Sequence, residues 1–273
     1  MARDDHSGGS WWSRFRALPN DDPIKTMAMT VAVAFVGSVL VASSAILLKP
    51  LQIANKEAER RKHFDEIIRQ LPGADDVLIA DRIQVEARVV DLESGEYAVS
   101  IDPTRYDQRR AAKDPARSVK IPEKHDIAGL RNRERFAIVY LIRQAEQLRL
   151  MILPVRGRGF GSMLHGYLGL AGDGNTVVGL SFYEHGETPG LGSLIDAPGW
   201  KMQWRGKKVW DAGVLKLGVG SGRIEPGSEE ARYQVDGLTG ATWTGRGVTN
   251  LLHYWLGEHG FAPYLRKLRR QGG

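Results

Sequence analysis

The polar and apolar positions of this chain are unevenly spread, and one stretch stands apart. Residues Thr26 to Leu48, TMAMTVAVAFVGSVLVASSAILL, run for 23 positions without a charge, bracketed by Lys25 and Lys49. At 1.5 Å per residue a helix of that length reaches about 35 Å, enough to cross the hydrocarbon core of a bilayer. A secretory signal has a shorter apolar run, roughly 7–15 residues, so the pattern predicts a retained single-pass anchor. Ser43-Ser44-Ala45 has the small residues of a cleavage site. No later apolar segment approaches the length needed to span.

Past the anchor, residues 50–72 predict a helix: 51–71 contain no glycine or proline, and Pro50 suits its first turn. This predicts a stalk. Residues 73–135 are polar and mixed; DVLIADRIQVEARVVDL predicts a short helix and a strand, and KDPARSVKIPEKHD a loop. From Phe136 the pattern turns to strands. FAIVYLI (136–142) and LRLMILP (148–154) are short and rich in β-formers, and two apolar runs flank Asp173-Gly174-Asn175, a hairpin signal because Gly and Asn tolerate positive φ. AGVLKLGVGSG predicts a further strand and a glycine-rich loop. The last helix starts near Thr242: Val248, Leu251, Leu252, Trp255 and Leu256 share one face, and Gly257 or Gly260 ends it. The fold class predicted is α+β, one N-terminal transmembrane helix followed by a mixed α/β domain with a mainly antiparallel sheet.

Composition narrows the function. The 273 residues are 42% hydrophobic and 26% charged, ordinary for a folded body. The net charge of +6 comes from scattered basic residues, and no recognition motif accompanies them, so no nucleic-acid partner is expected. The absence of cysteine removes disulfides, thiolate nucleophiles, zinc–cysteine sites and iron–sulfur ligation. A redox role would therefore need a cofactor held by other residues. Charge does not fix the orientation of the anchor: Arg3, Arg14, Arg16 and Lys25 precede it among four aspartates, and Lys49, Lys56, Arg60, Arg61 and Lys62 follow it.

Candidate chemistry gathers in glycine-rich stretches. DGLTGATWTG (236–245) sets three threonines just before the last helix. A helix N-terminus offers unpaired amides and suits a phosphate, which a threonine hydroxyl can bond or be esterified by. The competing reading is an N-cap supplied by Thr239 or Thr242. RGRGFGS (156–162) resembles a phosphate cradle but lacks the P-loop ending, and is read as a turn between strands; GVGSG (218–222) carries less still. Glu184, His185 and Glu187 invite a metal, but they lie on a loop with no partner cluster, so no metal is assigned. The scattered histidines form no catalytic order, and no catalytic residue is assigned. Trp200, Trp204 and Trp210 are expected in the core.

Two of these stretches together resemble a known family. DGLTGATWT is similar to the flavinylation motif D-x-x-[ST]-G-A-[ST], with Asp236, Thr239, Gly240, Ala241 and Thr242 at its positions. GETPGLG (186–192) resembles the flavin-contacting loop of the same FMN-binding domain. With the anchor, LLKPLQ (47–52) and WLGEHGFAPYL (255–265), the resemblance runs nearly end to end and is to the C subunit of the Na+-translocating NADH:quinone oxidoreductases. The G subunit of Rnf-type ferredoxin:NAD+ complexes shares both flavin motifs and is the alternative within that group. An anchored scaffold or sensor without flavin is the alternative outside it. Trp243 departs from the smaller aliphatic usual in the family.

The resemblance implies FMN joined to Thr242 by a phosphoester, with Thr239, Gly240, Ala241, Glu187, Thr188, Gly190, Leu191 and Gly192 at the cofactor. Lys207 and Lys208 are candidate cations beside the ring. Asp236 would serve recognition by the Mg-dependent flavin transferase that makes the bond. It also implies a cytoplasmic tail (1–24), a transmembrane helix (25–48), a stalk with a membrane-proximal region (49–135) and a periplasmic FMN-binding domain (136–273). The complex would sit in a bacterial inner membrane with six subunits. Its partners for this chain would include an NADH-, FAD- and iron–sulfur-bearing subunit and an FMN- and quinone-bearing membrane subunit.

Overall fold

The computed structural model describes residues 15–17, 19–20, 22–69, 83–144 and 147–271, except the side chains of residues 53, 56, 57, 59, 60, 83 and 84. The chain divides into two compact units, 1–58 and 59–273. The first is dominated by helix α1 (Pro23–Arg69), which continues into the second. Asp22 starts it: its Oδ1 accepts the amides of Ile24 (2.8 Å) and Lys25 (3.1 Å), and Pro23 occupies the turn where a missing N–H costs nothing. Residues Pro23–Gln52 are long and apolar enough to cross a membrane, and none of the apolar window is buried within the protein.

The stalk is not a separate helix. Pro50 lies inside α1 rather than in a first turn. Proline removes one i→i−4 bond and crowds the preceding turn, but good helix formers on both sides keep the helix going. The expected end of the stalk at residues 70–72, and the short helix expected before Ile83, lie outside the described residues.

The second unit is organised around a five-stranded antiparallel meander: β1 (Ile83–Asp91), β2 (Phe136–Gln144), β3 (Gln147–Arg158), β4 (Met163–Ala171) and β5 (Val177–Glu184), in that spatial order. Strand β1 pairs with β2 along its whole length, from Ile83 opposite Gln144 to Asp91 opposite Phe136, so this part of residues 49–135 supplies an edge of the same sheet. The expected hairpin joins β4 to β5: Gly174 has φ 61°, and the Asp173 carboxylate accepts the amides of Asn175 and Thr176, both at 2.8 Å.

Both faces of the sheet are covered, which is why β2 and β3 read as continuous apolar runs rather than alternating ones. Ile142, Leu150, Ile152, Tyr167 and Val178 meet Ile67 and Ile68 from the end of α1. Leu141, Met151, Leu153, Leu168, Leu180 and Phe182 meet Val248, Leu251, Leu252 and Trp255 of helix α3 (Thr242–Trp255). Between the sheet and α3 in sequence lies a short helix, α2 (Pro198–Met202). A further helix, α4 (Ala262–Gln271), follows α3. Trp200 and Trp204 are buried as expected, while Trp210 is half-buried with the Arg269 guanidinium 4.2 Å from its ring centroid.

A candidate flavin site at the start of helix α3

Three segments far apart in sequence converge where α3 begins. The first is the turn from β3 to β4, Arg158 to Ser162. The second is the loop after β5, Gly186 to Gly192. The third is Asp236 to Thr244, which enters α3.

Glu187 joins them. Its side chain is buried, and its carboxylate accepts the backbone amides of Phe160 (3.2 Å), Gly161 (3.1 Å) and Ser162 (3.2 Å). It also accepts the Thr244 hydroxyl at 2.6 Å. Burial pushes the carboxyl pKa up; the Thr244 hydroxyl and the three amides outweigh it and hold the group below the usual glutamate range. Three successive amides turned on one anion form a nest. The RGRGFGS stretch was expected to be only a turn. It is a turn, and it does cradle an anion, but the anion is the protein's own carboxylate.

Close backbone approaches fix the arrangement. A Cβ on Gly247, in the second turn of α3, would stand 2.5 Å from the Arg158 carbonyl oxygen, so α3 can lie against the end of β3 only with glycine there. Gly240 has φ 74°, and a Cβ on it would lie 3.0 Å from Leu191 Cδ2, which places the 186–192 loop directly on the threonine motif. Within that loop the Thr188 carbonyl accepts the amides of Leu191 (3.1 Å) and Ser193 (3.2 Å), and Gly190, at φ 74°, donates to Ser193 Oγ at 3.0 Å. Thr188, Gly190 and Leu191 are exposed, whereas Glu187 and Gly192 are buried.

The three threonines have different fates. Thr239 is exposed and precedes the helix; Thr242 is exposed in the first turn; Thr244 is buried on Glu187. The N-cap is Ala241, and no side chain caps the helix. The expected alternative, a threonine cap, is therefore not what the hydroxyls do, and the first-turn amides keep their donor capacity. Asp236 is half-buried, its Oδ1 accepting the Ile224 amide (2.7 Å) and its Oδ2 the Gln203 amide group (3.2 Å). The Trp200 indole donates to the Asp236 carbonyl at 3.0 Å.

Other candidates are drawn elsewhere. Glu184 pairs with Arg109 at 2.7 Å, and His185 Nε2 meets Asp196 Oδ2 at 2.6 Å, which raises the histidine pKa. With Glu187 in its nest, the three potential metal ligands face three different partners. Lys207 and Lys208 lie at the opposite end of β5 from the 186–192 loop. Lys207 donates to the Ala231 carbonyl at 2.5 Å and Lys208 to Thr176 Oγ1 at 2.6 Å, which draws both expected ring cations away from that loop. Thr244, Phe160, Gly161 and Ser162 lie in stretches the sequence singled out but were not assigned to the cofactor. For Thr244 a signal existed: it lies four residues before Val248, on the apolar face of α3.

Residues 159–257 match the FMN-binding domain family, a span that contains the three converging segments apart from Arg158. The C subunit of the Na(+)-translocating NADH-quinone reductase from Pseudomonas aeruginosa is 44% identical over 251 residues, covering 90% of this chain and 96% of that protein. This chain belongs to the family of the C subunit of the Na(+)-translocating NADH-quinone reductase. The C subunit from Neisseria meningitidis serogroup B is 38% identical over 249 residues, covering 90% of this chain and 95% of that one. Among solved structures, Shewanella oneidensis NqrC superposes with a TM-score of 0.65 at 30% identity, covering 77% of this chain and 99% of that chain. The NqrC fold thus accounts for the sheet and its helices, and an apolar N-terminal helix fits a single-pass anchor in one subunit of a membrane complex.

Proposed function

We propose that this chain is the electron-carrying C subunit of a Na+-translocating NADH:quinone reductase and holds FMN through a phosphoester to Thr242. The observation that carries the reading is the sorting of the threonines: Thr242 alone is both exposed and set in the first turn of an uncapped helix. The residues fit such a group. The free first-turn amides suit a phosphate, and Phe160, Leu191 and Trp243 are exposed apolar side chains on the three converging segments. The glycine at 240 keeps the floor between Leu191 and the helix start low.

FMN, once bound, supplies one-electron redox chemistry, and the protein supplies placement. Thr242 has no base beside it in the motif, so attachment falls to a separate Mg-dependent flavin transferase using FAD. In that transfer the Thr242 oxygen bonds the flavin-side phosphorus, the hydroxyl loses its proton, and the pyrophosphate bond breaks with AMP as leaving group. Asp236 serves the transferase as a recognition residue while its carboxylate also braces residues 203 and 224. Glu187 sets the loop, and Thr188, Gly190, Leu191 and Gly192 line the flavin side, with Thr239, Gly240 and Ala241 at the phosphate. A covalent tether lets the cofactor stay shallow and face partner subunits without dissociating.

In this reading residues 1–24 form a cytoplasmic tail, 25–48 the membrane span, 49–135 the stalk and membrane-proximal region, and 136–273 a periplasmic flavin domain. Electrons pass between an iron–sulfur centre and the FMN of a membrane subunit. The apolar span holds no charged residue to line an ion path. The test is intact mass of the chain purified from a host with an active flavin transferase, beside Thr242→Val. A gain of one FMN less water, lost in the variant, is expected. No gain in the wild type overturns the electron-carrier reading and leaves the anchored scaffold.

A further inference from the structure

Arg246 is a cation with no acid on its own helix: α3 reads TWTGRGVTNLLHYW and contains no aspartate or glutamate. The side chain is exposed, and among the described residues it enters no ion pair. What it does touch is Trp243. The guanidinium carbon lies 5.3 Å from the indole centroid, although Trp243 itself remains 65% exposed. Side chains on a helix lean toward its N-terminus, and positions i and i+4 share a face, with Cβ atoms about 5–6 Å apart. Thr242 is four residues before Arg246. The contact with Trp243, three residues before, shows that the guanidinium leans back toward the first turn, which carries Thr242.

We propose that Arg246, braced by Trp243, is the counter-charge of the phosphodiester formed at Thr242; this rests on the Thr242 reading above. A phosphodiester keeps one negative charge and two non-bridging oxygens. The planar guanidinium fork matches two such oxygens, while its flat face can stay on the indole. This gives the aromatic at 243 a role: it orders a long side chain that would otherwise lose its conformational freedom on binding. The pair anchors the ester to the helix, so that the tether begins from a fixed point.

The full-length chain is prepared with an active flavin transferase as wild type, Arg246→Gln, Arg246→Lys and Trp243→Leu, with Thr242→Val as the blank. Intact mass reports attachment, and ³¹P NMR at matched flavin content reports the surroundings of the phosphodiester. In the folded wild type the resonance is expected to stand apart from its position in denaturant. Arg246→Gln should bring it back to the denatured position, with Trp243→Leu and Arg246→Lys between the two. A folded Arg246→Gln protein whose resonance coincides with that of the folded wild type overturns the proposal. A wild type without the FMN mass, or a Thr242→Val protein that retains it, is seen before any resonance is measured; it overturns the Thr242 reading and this proposal with it.

Discussion

The Thr244 hydroxyl donates to Glu187 Oε2 at 2.6 Å, with the threonine 1% and the glutamate 5% exposed. This bond fastens the 186–192 loop to helix α3, which carries the proposed attachment residue, while the same carboxylate gathers the 160–162 amides. Thr244→Val keeps the shape and removes the donor. Losing one partner of a buried charged acceptor costs about 1–3 kcal/mol. Urea unfolding should show that loss in Thr244→Val and little of it in Thr244→Ser. Flavin attachment should persist in Thr244→Val, since its hydroxyl is not the one esterified. An unchanged unfolding midpoint would mean that the three segments are held without this bond.

Gly240 is a second point of control. Its φ of 74° lies where a Cβ is strained, and that Cβ would sit 3.0 Å from Leu191 Cδ2. Gly240→Ala should lose about 1–2 kcal/mol from backbone strain, and Gly240→Asn less, because Asn visits the left-handed region more readily. Gly222, whose Cβ would meet nothing within 4 Å, is the control and should tolerate alanine. Equal stability of Gly240→Ala and Gly222→Ala would rule out the strain argument.

Much of the fold was legible because the pattern was local. The apolar runs of β2 and β3, the Asp173-Gly174-Asn175 turn and the apolar face of α3 each declare themselves within a few residues. The start of α3 at Thr242 was legible because the apolar face and the glycine-rich stretch before it meet there. The Glu187 nest was not, since residues 160–162 and 187 are brought together only by the packing of β4 and β5, and nothing in RGRGFGS says that its anion is internal. Pro50 misled because the rule for proline at helix starts is statistical, and a long helix can continue through one lost hydrogen bond. Lys207 and Lys208 lie at the opposite end of β5 from the 186–192 loop, which no local pattern in the sequence declares.

Acid should loosen the end of α1 from the sheet. Glu66 accepts from Ser181 Oγ at 2.7 Å and pairs with Lys201 at 3.2 Å. Its carboxyl is lowered to about 2, first by the hydrogen bond to His63, against burial, with Ser181 and Lys201 adding to the effect. A carboxyl depressed in the folded state stabilises above its unfolded pKa of 4.5, and that stability is lost as pH falls toward 2. The side chain is about a third exposed, so screening reduces the contribution to ~1–2 kcal/mol. Urea midpoints of wild type and Glu66→Gln should differ above pH 4.5 and converge as pH falls through that window. A difference that is constant with pH would show that Glu66 is not the titrating group.

Lys201 is the other half of that contact and reaches further. It is buried, and its ammonium donates to Glu66 Oε1 (3.3 Å), Glu66 Oε2 (3.2 Å) and Ser181 Oγ (3.1 Å). Its neighbour Trp200 holds the Asp236 carbonyl, so α2 links the end of α1 to the segment entering the threonine motif. Lys201→Met leaves a carboxylate and a hydroxyl without their cation. Removing one member of a fully buried pair costs roughly 3–5 kcal/mol, and the partial exposure of Glu66 should bring this nearer 2 kcal/mol. Glu66→Gln combined with Lys201→Met removes both charges and should cost less than the sum of the single changes, by about 0.5–3 kcal/mol of coupling. The four proteins need only urea unfolding at neutral pH. Additive losses would mean that Glu66 and Lys201 are neighbours without energetic coupling.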